Sequence, residues 1–322
     1  AVPGGRDHEL RIVGEALHLL NSAVATPHPE GDDGERATQR LQQVARELGE
    51  VDLRRHSLLG LLRVAVAIFA GDHELADHYV ADALTLEDEW TTASVLMFRA
   101  NLAENRGDIK AMRADAAAAL VRFRGLGERW GTASTLRATA LVHTFDGDFE
   151  AAEREYTEAM ELMRELHCAD DEGFMWVRLA ELRLRQGDAA GAREQIAHAR
   201  AAVTARGAMI ELMFVTSVAA LIERELGNLD EARRLGREAL AQMDQVPVAH
   251  PFHGHMHATA LATAMSLARM DGELELARRY ARESYAMAVA TTDMAIVAAC
   301  GVGIAELLVD EGNCGLAAAG LG

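Results

Sequence analysis

The sequence predicts an all-α protein, a solenoid of antiparallel helix hairpins repeating about every 40 residues. The first observation is a spacing. A Gly followed by Asp, Asn or Glu, with Ala five residues after the Gly, occurs at Gly71, Gly147, Gly187, Gly227, Gly272 and Gly312, while Gly107 keeps the turn but carries Met112. Successive glycines of this series lie 36, 40, 40, 40, 45 and 40 residues apart. The second observation is a set of small side chains seven residues before the Gly, at Ala100, Ala140, Ala180, Ala220 and Ala305, where two helices can approach closely. The third is composition: 50% of residues are hydrophobic and only 5% aromatic, which suits close helix packing and argues against strands rich in Val, Ile and Tyr.

Each repeat reads as two helices. The first ends near the Gly because that residue accepts the left-handed conformation of a helix C-terminus, and the Asp or Asn after it caps the second. Around Gly187, the upstream helix offers Trp176, Leu179 and Ala180 on one face, and Ala192, Ile196 and Ala199 repeat the pattern downstream.

Taken in order, Leu10, Val13, Leu17 and Leu20 give a helix from His8 to about Ala25. Pro27, Pro29, Gly31 and Gly34 break it, and Leu41, Val44, Ala45 and Leu48 resume the period until Gly49. Residues 6–50 are therefore expected to form an atypical N-terminal capping hairpin, because an exposed repeat face would leave apolar area in water. The array is expected over residues 57–322, in about seven units at 57–90, 93–125, 133–166, 173–206, 213–244, 258–290 and from near 293, the last cut short in its second helix. The opening Ala1, Val2, Pro3, Gly4, Gly5, with no initiator Met and no signal-type apolar core, reads as the start of an internal fragment of a chain longer at both ends.

With these positions in hand, the chain resembles the tetratricopeptide-repeat superfamily. Trp176, Leu179, Ala180, Ala192 and Ala199 match its two-helix pattern, Ala152, Tyr156 and Ala159 match its second-helix half, and Ala76, Val80 and Ala83 give a weaker version. The resemblance implies right-handed stacking of the hairpins. The usual closing Pro is missing, and the period exceeds the usual ~34 residues, so helices or connections are longer. A narrower resemblance lies in the connector Leu126, Gly127, Glu128, Arg129, Trp130, Gly131, Thr132, Ala133 and in the terminal Leu316–Gly322. Together with the long period, these are similar to the C-terminal sensor region of bacterial antibiotic-regulatory and maltose-regulator-like (STAND-type) transcriptional activators.

Several functions are disfavoured by composition. A net charge of −18 with Lys110 as the only lysine argues against direct nucleic-acid binding. Three distant cysteines, Cys168, Cys300 and Cys314, do not form a secreted disulfide framework and favour a cytoplasmic setting. No apolar run reaches the ~20 residues of a membrane span. There is no phosphate-binding Gly-x-x-x-x-Gly-Lys run and no nucleophile elbow, so neither an enzyme nor a cofactor is expected. Arg106, Gly107 and Asp108 fall at a helix-to-helix turn, which accounts for them. Trp90, Trp130 and Trp176 are expected to pack rather than stack on a ligand. His250, His253, His255 and His257 crowd the connector that stretches one spacing to 45; His253 and His257 are a weak metal pair, and a solvated connector is the expected reading.

What the resemblance implies about function is a surface. In the family's geometry, first-helix residues three, six, ten and thirteen positions before the turn Gly line a concave face. Transferred here, these include Met97, Asn101, Glu104, Arg137, Leu141, Thr144, Val177, Glu181, Leu184, Phe214, Ser217, Leu221, Arg224 and Arg269. Partner contact is expected there, with Arg137, Glu181, Phe214 and Arg224 foremost. The basic clamp that grips a carboxylate tail in some members needs Lys and Asn in adjacent units, and Asn101 faces Ala138 instead. The resemblance implies a bacterial protein-interaction and effector-sensing domain. It would control a switch domain elsewhere in the parent chain, by binding that domain, another regulator or a small effector. A free-standing peptide-binding scaffold and a regulatory appendage of a signalling enzyme are the rival readings.

Overall fold

The computed structural model describes residues 6–25, 32–52, 58–168, 172–243, 245 and 253–321. Among these, every regular element is a helix: α1 (Arg6–Ala25), α2 (Asp32–Glu47) followed by a 3-10 turn (Leu48–Glu50), α3 (Leu58–Phe69), α4 (His73–Ala83), α5 (Glu89–Asn105), α6 (Ile109–Leu126), α7 (Arg129–Asp146), α8 (Phe149–Glu165), α9 (Glu172–Arg185), α10 (Ala189–Arg206), α11 (Met209–Glu225), α12 (Leu229–Met243), α13 (His253–Met270), α14 (Leu274–Thr291), α15 (Met294–Asp310) and α16 (Cys314–Leu321). No strand occurs among the described residues.

Each of the seven spaced glycines lies between the two helices of a hairpin, with φ between +72° and +80°. At Gly147 the reason is explicit. Its N–H donates to Thr144 O (3.3 Å) and the N–H of Asp148 to His143 O (3.0 Å), a Schellman closure that needs a left-handed residue and so favours one without Cβ. Asp148 then accepts from Ala151 N (3.1 Å), starting α8; Asp72 and Asp188 do the same for Leu75 N and Gly191 N. The small residues seven before and five after the turn are buried: Ala100, Ala140, Ala180, Ala220 and Ala305, and Ala76, Ala152, Ala192, Ala232, Ala277 and Ala317.

The chain divides into two compact units. The first is built mainly of residues 1–102 and 110–138. Its core gathers Ile12, Ala16, Leu41, Val44, Leu48, Leu59, Leu62 and Val66 from α1, α2, the 3-10 turn and α3. Buried Arg63 stitches this core by donating to Leu48 O (2.7 Å), Gly49 O (3.0 Å) and Val51 O, satisfying carbonyls that the 3-10 turn leaves over. Tyr79 Oη donates to Ala45 O at 2.7 Å beside it. In the connector, a Cβ on Gly131 would stand 2.4 Å from the Phe123 ring, so the residue is fixed by close approach of α6 and α7.

The second unit comprises residues 103–109, 139–246 and 252–322. Within it α9, α11, α13 and α15 pack successively on one another, whereas α10 and α12 meet through the long side chains of Arg200 and Glu238 (2.6 Å). The closer approach of the first helices puts them on the inner side of the stack. The core between hairpins holds Val177, Ala180, Ile196, Ala199, Val203, Val215, Val218, Ile222 and Leu235.

Candidate functional site

The inner face of the second unit is assembled from residues one helical turn apart on successive first helices. Phe174, Arg178 and Glu181 follow each other along α9; Ile210, Phe214, Leu221 and Arg224 do so along α11. Phe174 and Phe214 meet in a tilted pair, ring centroids 5.3 Å apart and planes at 38°, both half-buried against Met213 and Met256. This is an offset aromatic contact of the favourable kind.

Charged residues of the first helices are bound, not merely solvated. Arg178 reaches Glu181 (3.1 Å) and Glu104 (3.7 Å), and these carboxylates, Glu181 foremost, hold its guanidinium firmly in the charged form. Arg224 donates to Ser266 Oγ on α13 and to Glu225. Arg269 donates to Glu306 (2.9 Å) and Asp310 (2.8 Å) on α15. In the first unit Arg137 donates to Asn101 Oδ1 at 2.7 Å. Arginines of one first helix thus brace the neighbouring first helix.

Of the residues expected at a contact face, Asn101, Arg137, Glu181, Phe214 and Arg224 are partly exposed. Met97, Leu141, Val177 and Ser217 are buried. The expectation of an accessible side chain is corrected at these four. Met97, Val177 and Ser217 lie ten residues before their turn glycines and Leu141 six; Val177 packs into the core between hairpins, and Ser217 Oγ donates to Met213 O (2.9 Å) in its own helix.

No protein-family model matches this sequence, and no curated protein matches it. Among solved structures, the chain is similar to a Rap protein complexed with competence and sporulation factor, with a TM-score of 0.71, 11% identity, and coverage of 98% of this chain and 85% of that one. The apo form of RapI follows at a TM-score of 0.62 and 14% identity, covering 82% of this chain and 94% of that one. A STAND protein (signal-transduction ATPase with numerous domains) with a tetratricopeptide-repeat sensor, from Pyrococcus horikoshii, gives 0.57 at 13% identity, covering 98% of this chain and 53% of that one. The fold is tetratricopeptide-like. At these identities the likeness is one of architecture.

Two further features of the tetratricopeptide-like array differ from the expectations. Of these histidines, His253, His255 and His257 lie in a helix rather than a solvated connector: α13 already begins at His253, and His253 and His257, one turn apart, are buried with ring centroids 3.6 Å apart. A carboxylate is also at hand, since Asp293 caps α15 and lies 3.8 Å from His255 Nε2. Burial pushes the His255 imidazole below its ordinary pKa, and Asp293 opposes that only in part. No group of three or more His, Cys, Asp or Glu placed to hold a metal occurs among the described residues, and His250 lies outside them. No described helix is long and apolar enough to cross a membrane. A shallow hollow of about 490 Å³ along α8 is lined by Glu150, Glu153, Arg154, Thr157, Glu158 and Glu161.

Sequence reasoning passed over two residues of the inner face. Phe174 stands thirteen residues before Gly187, the same offset that singled out Phe214, so the signal was present. Arg178 stands nine before Gly187, off the four positions used, and only its ion pairs draw attention to it.

Proposed function

We propose that this chain is a protein-interaction and effector-sensing repeat domain that receives a peptide or partner segment along the inner face of α9, α11 and α13. The observation that carries the reading is the half-buried Phe174–Phe214 pair, an apolar anchor that joins α9 to α11 beside Met213 and Met256. Support comes from the architectural likeness to a Rap protein that was crystallised with competence and sporulation factor, and to a STAND protein carrying a tetratricopeptide-repeat sensor. We place the domain in a bacterial transcriptional regulator, working in the cytoplasm on a switch domain elsewhere in the parent chain. Its charge of −18 leaves contact with DNA to other parts of that protein.

A free-standing peptide-binding scaffold is the second reading. It is favoured by coverage, since the chain spans 85% and 94% of the two Rap structures but only 53% of the STAND protein.

Selection of a displayed random-peptide library on the purified chain tests the shared core of both readings. Selected peptides should bind wild type and lose affinity on the folded Phe174→Ala, Phe214→Ala double variant. Peptides that bind both proteins equally would overturn the assignment of the inner face.

A further inference from the structure

Helix α15 carries an apolar face that the rest of its unit does not use. Ala295, Ala298, Ala299, Val302 and Val309 are all exposed, and their spacings of three, four and seven residues put them on one side of the helix. Val302 and Val309 keep 50% and 52% of their surface in water, and Leu316, in the first turn of α16, keeps 64%.

Elsewhere in the unit the same register positions are covered. Fourteen residues before the turn glycine, Met213 on α11 and Ala258 on α13 are fully buried where Ala298 is exposed; ten before it, Val177 and Ser217 are buried where Val302 is exposed. The cover comes from the next first helix: Met213 packs with Met256 and Ala260 of α13, and Ala258 with Cys300 of α15. The outer side of α15 thus continues an interface already built three times, between α9, α11, α13 and α15, and among the described residues no helix receives it. It also offers no cation. Three residues before the glycine, where Arg224 and Arg269 reach to the next first helix, α15 has Val309. Its carboxylates Glu306 and Asp310 are already held by Arg269 at 2.9 and 2.8 Å.

The pattern is self-complementary. Set antiparallel on itself about Val302, the helix lays Val309 of each copy on Ala295 of the other and Glu306 of each on Ala298, a large side chain against a small one. The two Glu306 carboxylates then stand about 12 Å apart along the axis, at ~1.5 Å of rise per residue, which is beyond the ~10 Å screening length of ~0.1 M salt.

We propose that the exposed face of α15 is a self-association surface, on which two copies of this chain pair across a two-fold axis at Val302. An isologous contact of this kind closes at two copies. One helix pair buries less than a permanent dimer needs, so the dimer is reversible, on the order of micromolar. Each copy carries −18, so association works against repulsion and tightens as salt screens it. The Phe174–Phe214 groove lies on other helices, and its function is independent of this contact.

Sedimentation velocity from ~1 to ~200 µM tests this, a range in which a weak interface populates both states. Wild type should pass from monomer to dimer and no further, with a Kd that falls at least about threefold between ~50 and ~500 mM salt. Val302→Asp, at an exposed position, should leave the fold intact and weaken dimerisation at least about tenfold by placing a charge in the contact. In a Cys168→Ser, Cys314→Ser background, mild oxidation should cross-link Val302→Cys between copies, because the residue meets its own counterpart. Val309→Cys should stay largely uncross-linked, its counterpart lying about 21 Å away. A wild-type protein that stays monomeric across this range overturns the inference. So does assembly beyond two copies, a dimer indifferent to Val302→Asp, or equal cross-linking at the two positions.

Discussion

Arg137 donates a hydrogen bond of 2.7 Å to Asn101 Oδ1, a residue thirty-six positions earlier on the preceding first helix. Both were expected to meet a partner, and the bond between them also joins neighbouring first helices. Truncation of either side chain should cost stability, and a double-mutant cycle of Arg137→Ala and Asn101→Ala should return a coupling of about 1 kcal/mol in urea denaturation. Strictly additive losses would show that the bond contributes nothing.

The aromatic pair makes a separate prediction about stability. Because Phe174 and Phe214 are half-buried, each change to Ala should cost less than the ~3–5 kcal/mol of a fully buried Phe. Their combined loss should fall short of the sum by about 0.5–1.5 kcal/mol, the part owed to ring–ring contact. Thermal and chemical unfolding of the three variants measure it.

Ala180 and Ala192 are fully buried on opposite sides of one hairpin turn. Enlarging either to Leu should overpack α9 against α10 and destabilise the protein by about 1–3 kcal/mol. Melting curves matching wild type would refute the tight packing described for these positions.

Thr292 ends α14 with φ +59°, a left-handed conformation that the spaced glycines adopt without strain. Thr292→Gly is expected to stabilise the protein or leave it unchanged, while Gly147→Ala should destabilise it by ~1 kcal/mol. Unfolding midpoints moving the opposite way in either variant would contradict the backbone assignment.

His255 predicts a response to acid. Its folded pKa is lowered from 6.5, mainly by burial, so the unfolded chain binds the proton more readily. Stability from this group is complete above about pH 6.5 and declines as pH falls from there toward the lowered folded value. Glu15, Glu223 and Glu231, held below 4.5 first of all by hydrogen bonds from Arg40, Arg193 and Arg234, lose their contributions only in more acidic solution, so the windows separate. A flatter pH–melting profile between pH 6.5 and 5 in His255→Gln would bear this out, and an unchanged profile would refute it.

The hairpin architecture was legible because its determinants are local and periodic. Gly147, Asp148 and Ala152 specify a helix end, a helix start and a close approach within six residues, and the same offsets recur at the other turns of the series, except that Gly107 carries Met112. The proposed contact face was less legible because it depends on how successive hairpins rotate against each other. That rotation buries Val177 and Ser217 but leaves Phe174 and Phe214 half-exposed, although all four share one helix-face pattern. Nor does sequence spacing show which way a long cation leans, as with Arg224, which bends toward Ser266 on the next first helix. The histidines were misjudged because α13 starts at His253, and helical burial there turns a polar-looking connector into an interior turn.

Arg63 couples two stretches of chain that would otherwise part easily. The carbonyls of Leu48, Gly49 and Val51 converge on one buried guanidinium rooted in α3. Separating the 3-10 turn from α3 means withdrawing three acceptors from one buried cation at once, so local opening there is expected to be a single cooperative step rather than a gradual unravelling.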